Sequence, residues 1–393
     1  MTDYQEWESW EPQSSDAWLE VDPLSRLASR ENQQEFARLA NAALAAYQRL
    51  PAQLRRQVWR EREILASLWS RRSVVGPVLA ETSWLGVGRR SIAGRRTLAA
   101  IISTETPLPP DPIEAREAYG LPPELEVSTR VPGVEGAGVP VVLEQTAGPV
   151  RYGVVKPGEW ALASSEQARN DVAPLQSGDE VAGEDRWGAR SPGTLAAIVS
   201  REQSVQPLML SVAHVFGPVG TKVIAYRGGI RAVGKVIMAD IGLDAAIAEP
   251  YMPWHFDYRL KADDALPALP VQATSDMPVR MWGSVSKFQQ GRVDQALVVP
   301  AGAGAIGMLV PFSASIPSSP GDSGALIVAE PGSTPGYLAA ASPPGSSDPL
   351  AGAMLGMLIA GPNPKNPGPR PSAWAVPLTE IVERFQIQVW ARQ

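Results

Sequence analysis

Glycine and proline interrupt the sequence so often that most of the chain can form only short elements of secondary structure. The chain contains 35 Gly and 38 Pro among 393 residues. From about residue 131 onward, short apolar runs alternate with Gly, Pro, Asp and Asn, and the runs occupy residues 139–143, 194–199, 208–212, 222–226, 232–237, 245–248, 279–282, 296–299, 307–310, 325–328 and 354–359. Many short strands separated by turn signals are typical of a β sandwich or barrel.

Helical periodicity is found at the two ends of the chain. Near the C-terminus, Leu378, Ile381, Val382 and Phe385 have helical spacing, with Val389 one turn further on, and they predict a closing helix. Near the N-terminus, an N-cap and proline at residues 22–23 begin one amphipathic pattern, and Pro51 begins a second. Weaker apolar patterns follow at residues 74–85 and 97–102.

These patterns divide the chain into four segments. Residues 1–21 are an acidic tail that contains Trp7, Trp10 and Trp18, and residues 22–103 are predicted to be a small all-α module that can be deleted without loss of the β domain. Residues 104–130 contain six prolines and are predicted to be a linker with one helical turn at 113–119. Residues 131–393 form the predicted β domain.

Charge is distributed unevenly between the tail and the module. Residues 1–22 carry seven acidic residues and no basic ones, whereas residues 23–96 carry 14 Arg, no Lys and five Glu. The basic stretch is either the solvated surface of helices or a docking face for an acidic partner or for the chain's own acidic head. A net charge of −6 for the whole chain argues against nucleic acid as its main partner.

Two residue types are scarce, and their scarcity limits the chemistry. The chain has no cysteine, which excludes disulfides, a CxxC redox centre and thiolate zinc ligands. It has two histidines, His214 and His255, so a histidine-rich metal site is not expected. We predict no metal and no cofactor. If imidazole serves as a general base, one of these two histidines must supply it.

The sequence also bears on location. The first 11 residues are acidic, with no basic leader and no apolar segment, so no secretory signal is expected. The longest uncharged stretch, residues 296–312, is broken by Pro300 and Pro311, and a membrane-spanning helix needs about 20 mostly apolar residues. We therefore predict a cytoplasmic protein without a membrane span.

The most specific local signal is Pro-Gly-Asp-Ser-Gly-Ala at residues 320–325. Ser323 lies between small residues, as a nucleophile on a tight loop would. Glycine lets the backbone turn sharply and lets a substrate carbonyl approach backbone N–H groups. The alternative is an ordinary Asp-Ser turn.

A serine nucleophile needs a base, and the base needs a group that orients it. His214 follows an apolar run and precedes Gly217, which places it at the exit of a strand. Asp244 is embedded among apolar residues at 242–248. Because burying a lone carboxylate is costly, Asp244 needs a partner. Asp240 is the alternative for the orienting acid, but it lies shortly before a glycine, as acids in turns do. His255 is the alternative for the base, but its sequence context is that of a histidine packed in a loop.

Together these motifs resemble the trypsin-like (chymotrypsin-fold) serine peptidases of the cysteine-free bacterial type. Ser-Val-Ala-His at residues 211–214 resembles the family's Thr-Ala-Ala-His, and residues 243–248 resemble its Asp-Ile-Ala-Leu strand. Gly-Asp-Ser-Gly at residues 321–324 is its nucleophile motif, and residues 356–361 occupy the position of its Gly-Ile-Val-Ser-Trp-Gly strand. The resemblance implies a mainly β, two-barrel domain with a C-terminal helix, preceded here by the small all-α domain.

The resemblance also implies a role for each matching residue. Ser323 would attack the scissile carbonyl, His214 would transfer the proton, and Asp244 would hold the imidazole. The backbone N–H groups of Gly321 and Ser323 would form the oxyanion hole. The substrate would contact the residues Pro317, Ile359, Ala360 and Gly361.

The sequence departs from the family pattern at three positions. Secreted relatives lock the acid before the nucleophile with a new N-terminus, and the sequence at 90–94 resembles such a cleavage site only superficially, so another group must hold Asp322. Pro317 stands where the family's pocket floor lies, which implies an apolar or small side chain before the cleaved bond rather than Arg or Lys. Ile359 replaces a serine that helps to hold the triad acid.

Two other motifs are set aside. Residues 302–307 match G-x-G-x-x-G, but proline stops the apolar run that follows, whereas a dinucleotide site needs the loop to open a helix. An α/β-hydrolase needs G-x-S-x-G and the order Ser, Asp, His, whereas Ala325 and the order His, Asp, Ser are found here.

The predicted function is that of a serine endopeptidase acting on a protein or peptide. An added module at residues 22–103 suggests a regulatory partner and limited proteolysis of one protein. A bacterial regulatory or defence pathway, including antiviral defence, is the expected context by analogy. The alternative is a catalytically silent, protease-like binding or scaffold protein.

Overall fold

The computed structural model describes residues 83–126, 138–146, 174–184, 190–201, 206–227, 229–240, 242–251, 256–261, 268–300, 312–330, 352–362 and 373–389, with residues 57–68 in part and positions 188, 204 and 350. The predicted acidic tail, the first predicted helix, His255 and the glycine motif at 302–307 lie outside the described residues.

The elements follow one another as short strands with few helices. The first strands are β1 (Ser83–Ile92), β2 (Arg95–Thr104), β3 (Glu124–Glu126), β4 (Gly138–Gln145), β5 (Leu175–Ser177), β6 (Glu180–Glu184), β7 (Arg190–Thr194), β8 (Ala197–Arg201), β9 (Leu208–Ser211), β10 (Lys222–Ala225), β11 (Arg231–Asp240) and β12 (Ala245–Pro250). The later strands are β13 (Phe256–Leu260), β14 (Ala268–Pro270), β15 (Pro278–Gly283), β16 (Lys287–Pro300), β17 (Phe312–Ala314), β18 (Leu326–Ala329), β19 (Ala353–Ala360), β20 (Ala373–Pro377) and β21 (Ile387–Val389). Besides a helical segment within residues 57–68, the described helices are α1 (Pro112–Ala118), α2 (Ala213–Phe216) and α3 (Leu378–Phe385).

The middle of the chain forms an antiparallel sheet with the strand order β21-β8-β9-β12-β11-β10-β6-β7. Val181, Ile198, Met209 and Ile247 are among the apolar residues that pack into one core with it. Strands β5 and β13 pair with each other in parallel. The apolar runs predicted as strands over residues 208–248 therefore correspond to β9, β10, β11 and β12.

The later strands form a closed barrel. Its order is β15-β18-β19-β20-β17-β16, and pairing of β15 with β16 completes the circle. The interior is filled by apolar side chains such as Met281, Phe312, Ile327 and Leu355. Because a closed barrel has no free edge, every one of these short strands is paired on both sides.

A further set of strands extends the barrel and corrects the predicted module boundary. β16 has 14 residues, and the half beyond the barrel pairs with β1, followed by β2, β4 and β3. Residues 83–104 therefore form a hairpin that belongs to this sheet, although the sequence pattern placed residues 83–103 in the all-α module and residue 104 in the linker. The error has a physical cause: a continuous apolar run such as 98–102 has no period that separates a buried strand from a helix.

The described part of residues 57–68 is helical and packs against the β structure. Val58 joins the barrel core, while Ile64, Leu65 and Leu68 pack with β1, β2 and β4. In the predicted linker, the helical turn expected at 113–119 is α1, and a side-chain oxygen of Asp111 caps its N-terminus. Because Leu125 of β3 is also buried, the described linker residues are part of the fold.

The closing helix is present where the sequence predicts it. Leu378, Ile381 and Phe385 of α3 are buried against the core. The helix ends at Gln386 with φ 51°, and Val389 belongs to β21 rather than to a further helical turn. No helix in the described residues is both long and apolar enough to cross a membrane.

Candidate active site

Two neighbouring strands bring His214 and Asp244 together. β9 ends at Ser211, just before α2, and β12 begins at Ala245. The two strands are antiparallel, with Ala246 opposite Ser211, so the exit of one lies beside the entrance of the other. The N–H of Ala213 donates to the Asp244 carbonyl at 3.0 Å, which fixes the two segments to each other.

Both carboxylate oxygens of Asp244 are engaged by His214. Oδ2 lies 2.7 Å from Nδ1 of the imidazole, and Oδ1 accepts the backbone N–H of His214 at 3.0 Å. A carboxylate oxygen is an acceptor, so Nδ1 carries the proton and Nε2 is left as an acceptor. The Asp244 side chain is 5% exposed. Its φ of 48° is a left-handed conformation that Asp tolerates better than most residues.

The rival carboxylate has a different setting. Asp240 accepts the N–H of Leu243 at 3.0 Å and the Nε–H of Arg384 at 2.6 Å. It caps the turn before β12 and pairs with α3. The structure therefore places Asp244, and not Asp240, against the histidine.

Ser323 lies on a tight turn between β17 and β18 and is 1% exposed. Its carbonyl accepts the N–H of Thr194 at 2.8 Å. The next residue, Gly324, has φ +94°, and a Cβ there would lie 2.2 Å from the Thr194 carbonyl oxygen and 2.5 Å from Oγ of Ser211. Only glycine fits this position, which explains the residue that follows the serine in the sequence motif.

Gly193 connects the serine loop with the histidine segment. A Cβ at this glycine would lie 2.4 Å from the side chain of Val215, the residue after His214, and 2.8 Å from the carbonyl oxygen of Ser323. Within the described chain, Ser323 Oγ and His214 Nε2 are both buried and have no hydrogen-bond partner. The Ser–His hydrogen bond is therefore not formed in this structure, and catalytic contacts often tighten only when substrate binds.

Asp322, whose holding group the sequence left open, is fixed by three backbone N–H groups. Oδ1 accepts from Val285 and Ser286, each at 3.0 Å, and Oδ2 accepts from Ser319 at 2.8 Å. The residue is fully buried. Val285 and Ser286 lie in the turn between β15 and β16, so this turn supplies two of the three donors that hold Asp322.

Gly321, the other predicted oxyanion-hole residue, is held by its carbonyl. That oxygen accepts hydroxyl groups from Thr194 at 2.9 Å and from Ser284 at 2.7 Å. Gly321 has φ +102°, which favours glycine. Thr194 and Ser284 are far from Gly321 in sequence and carry no motif, so sequence reasoning missed both.

A titratable group borders the turn that holds Asp322. Burial raises the pKa of Glu180 to about 7, and the positive charge of Lys287 opposes that rise. Lys287 also donates to the carbonyl of Ser284. Among the described residues, no group of three or more His, Asp or Glu side chains is arranged to hold a metal ion.

The predicted substrate-contacting residues fall into two groups. Ile359 and Ala360 end β19 and Gly361 follows, and all three are buried. β18 pairs with β19 only as far as Met357, so in the described residues no strand pairs with Ile359 or Ala360 on that side, while Gly361 forms a separate β-bridge. Pro317 is exposed and lies in the segment between β17 and the serine loop.

Comparisons with known proteins were made for the whole chain. No model of a protein family and no curated protein matches the sequence. Among solved structures, the chain is similar to Thermobifida fusca protease A (12% identity, 56% of this chain and 100% of that one, TM-score 0.41). It is also similar to Nocardiopsis protease (15%, 55% and 99%, 0.40) and to Cellulomonas bogoriensis chymotrypsin (12%, 56% and 100%, 0.39).

The structure confirms a mainly β fold with a closed barrel and one C-terminal helix. An all-α N-terminal domain is not shown: the described part of residues 57–68 is helical, but residues 83–103 of the predicted module belong to the β1–β2 hairpin.

Proposed function

We propose that the chain is a serine endopeptidase that hydrolyses peptide bonds with Ser323, His214 and Asp244. The observation that carries the proposal is the double contact between Asp244 and His214, with one oxygen on Nδ1 and the other on the backbone N–H. A buried carboxylate placed in this way sets the tautomer that leaves Nε2 able to accept a proton. A histidine that served only packing would not need this arrangement.

The reaction follows from that tautomer. Ser323 Oγ forms a bond to the substrate carbonyl carbon while its proton moves to His214 Nε2. The imidazolium that results is stabilised by Asp244. His214 then gives the proton to the leaving nitrogen as the C–N bond breaks, and water repeats the two steps to release the acid and restore Ser323.

Negative charge on the carbonyl oxygen develops beside the nucleophile loop. The N–H groups of Gly321 and Ser323 are the proposed donors, and one such donor is worth about 3–4 kcal/mol. The buried carboxylate of Asp322 accepts three backbone N–H groups and so fixes the conformation of this loop. Because those donors come from the chain itself, the loop is ordered without cleavage of a pro-segment.

The substrate is proposed to be an extended segment of a protein. Ile359 and Ala360 have no strand on their β18 side among the described residues, so a substrate backbone can pair there as an added strand. Pro317 carries no charge, and an apolar or small residue is proposed before the cleaved bond. The cellular role proposed is limited processing of one partner in a bacterial regulatory or defence pathway, in the cytoplasm. The part of residues 22–103 that precedes β1 is proposed to bind a regulator.

One observation favours a second candidate, a catalytically silent scaffold. The Oγ atom of Ser323 and Nε2 of His214 are both buried and do not bond to each other. A nucleophile closed to solvent needs an opening step before it can react. This observation would also be expected of a protease in a resting state.

Covalent labelling distinguishes the two candidates. The full chain is treated with a fluorophosphonate probe, and the labelled residue is identified by mass spectrometry. Labelling is expected at Ser323 and absent in Ser323→Ala. No labelling of the full chain, with or without candidate activating partners, would overturn the enzyme and leave the scaffold.

A pair of matched variants then tests the role of Asp244. Asp244→Asn presents an amide N–H to Nδ1 and favours the wrong imidazole tautomer, so the labelling rate should fall by about 10⁴. Asp240→Asn changes a carboxylate that contacts Arg384 instead of His214, and its rate should equal that of the wild type. Equal rates for both variants would remove Asp244 from the mechanism.

A further inference from the structure

Thr194 uses every polar group it has at the nucleophile loop or beside it. Its N–H donates to the Ser323 carbonyl at 2.8 Å, and its hydroxyl donates to the Gly321 carbonyl at 2.9 Å. The same hydroxyl accepts the N–H of Ser284 at 3.0 Å, and the Thr194 carbonyl accepts the hydroxyl of Ser211 at 2.7 Å. The residue is fully buried at the end of β7.

Ser284 completes the contact from the barrel side. Its hydroxyl donates to the same Gly321 carbonyl at 2.7 Å, and the residue is 6% exposed. Gly321 is thus held by one hydroxyl from the antiparallel sheet and one from the turn after β15. The N–H of Ser284 also donates to the Thr194 hydroxyl, so the two residues that hold the Gly321 carbonyl are fixed relative to each other.

Because a peptide unit is planar, these contacts also restrict the directions of the two N–H groups proposed as oxyanion donors. The N–H of Gly321 belongs to the peptide unit before Gly321, and the N–H of Ser323 belongs to the unit before Ser323. Between them lies the unit that carries the Gly321 carbonyl and the Asp322 N–H. The carbonyl is held by the two hydroxyls, and the N–H donates to Ser319 at 3.0 Å. A planar unit fixed at both ends anchors one side of each neighbouring unit, so only the φ and ψ angles of Gly321 and Asp322 remain free to change how the two donors point.

We propose that Thr194 is a positioning residue for the oxyanion hole, with Ser284 as its second hydroxyl donor. Thr194 does not touch the substrate and acts through Gly321 and Ser323. The inference rests on the proposed function, because it assigns these residues to the reaction of the same serine. It goes beyond that function because it states that a residue of β7, in the antiparallel sheet, orients the N–H groups of Gly321 and Ser323.

The test separates reaction rate from binding. A fluorophosphonate probe is reacted with the full chain, and the maximal inactivation rate, kinact, is measured apart from the half-saturating concentration, KI. Thr194→Val keeps the shape of the residue and removes its hydroxyl, so kinact should fall about 10- to 100-fold. This fall is no larger than the one expected on removing an oxyanion donor itself. KI should stay within about twofold, because the probe's other contacts are unchanged.

Three further variants make the result specific. Thr194→Ser keeps the hydroxyl and should restore kinact to within about threefold of wild type, and Ser284→Ala, which loses one of two donors, should be intermediate. Thr104→Val is the matched control, because Thr104 is equally buried and its hydroxyl accepts only a local N–H at 3.2 Å. Its kinact should not change.

The outcomes separate this proposal from the proposed function. A wild-type chain that never labels refutes the protease and, with it, this role. A wild type that labels, with Thr194→Val equally fast, overturns the positioning role alone. Equal losses in Thr194→Val and Thr194→Ser would also overturn it, because the hydroxyl would not be the cause. If Thr194→Val fails to fold in a melting experiment, Ser284→Ala decides, and an unchanged kinact there overturns the role.

Discussion

The buried carboxyl group of Glu61 should make the stability of this protein depend on pH. Glu61 lies in the helical segment that packs on the barrel, and its side chain is 1% exposed. Oε1 accepts hydrogen bonds from Gln57 at 3.0 Å and from the hydroxyl and the N–H of Ser275, the latter at 3.2 Å. Burial raises its pKa from 4.5 to about 7, and the bonds from Ser275 and Gln57 and the charge of Arg89 oppose the rise.

The sign and size of the effect follow from these pKa values. The folded chain binds the proton more tightly than the unfolded chain, so the free energy of unfolding is highest below about pH 4.5. It falls as the pH rises from 4.5 to 7, the window in which only the unfolded chain is ionised, and it is constant above that. A difference of about 2.5 pKa units corresponds to about 3 kcal/mol. Glu61→Gln is neutral at every pH and removes this loss.

Urea unfolding of wild type and Glu61→Gln between pH 4.5 and 8 measures the effect. Relative to wild type, the variant should gain about 3 kcal/mol of stability between about pH 4.5 and 7, and the difference should stay constant from about pH 7 to 8. The exchange of carboxyl for amide hydrogen bonds shifts the whole curve by about 1 kcal/mol without changing its slope. Glu117→Gln, at an exposed residue of α1, is the control for the substitution of an amide for a carboxylate. A difference between wild type and Glu61→Gln that stays flat over this range would refute the reasoning.

Two further predictions concern backbone space and the module boundary. Gly324→Ala should lower the melting temperature and abolish probe labelling, because its Cβ would lie 2.2 Å from a backbone oxygen. Gly94→Ala is the control: its φ is +76° but the space around it is open, so it should cost only about 1 kcal/mol of stability. Equal effects of the two variants would contradict the steric argument. Deleting residues 1–104 should prevent folding of the β domain, because it removes β1 from β16 and the Trp84 ring from its edge contact with Trp374 at 5.8 Å. A deletion that melts like the full chain would restore the separable module that the sequence suggests.

Local pattern was sufficient for several elements. Glycine and proline spacing predicts the short strands β9 to β12, and the i, i+3, i+4, i+7 pattern predicts α3. Gly324 follows the serine because its positive φ and the lack of room for a Cβ require glycine. The short motif therefore reflects contacts with residues that are distant in sequence. His214 and Asp244 could be proposed as partners because a lone acid among apolar residues must find a counterpart.

Other features could not be read from local pattern. A continuous apolar run such as residues 98–102 fits a helix or a buried strand equally well, and only its pairing with β1 and β4 decides. The group that holds Asp322 is a set of backbone N–H groups, and every residue except proline has one, so composition carries no trace of it.

The sequence by itself therefore predicted a mainly β fold, the closing helix and the nucleophile motif around Ser323, because each depends on residue type at short spacing. It offered His214 as the base because the chain has two histidines, and it favoured Asp244 because that acid lies among apolar residues. Only the tertiary structure decided that residues 83–104 belong to the barrel's sheet, that Asp244 and not Asp240 meets His214, and that Thr194 and Ser284 hold Gly321. Those outcomes depend on which distant strands lie side by side. Hydrogen bonds between residues 127 or 37 positions apart exist only once the sheets have formed.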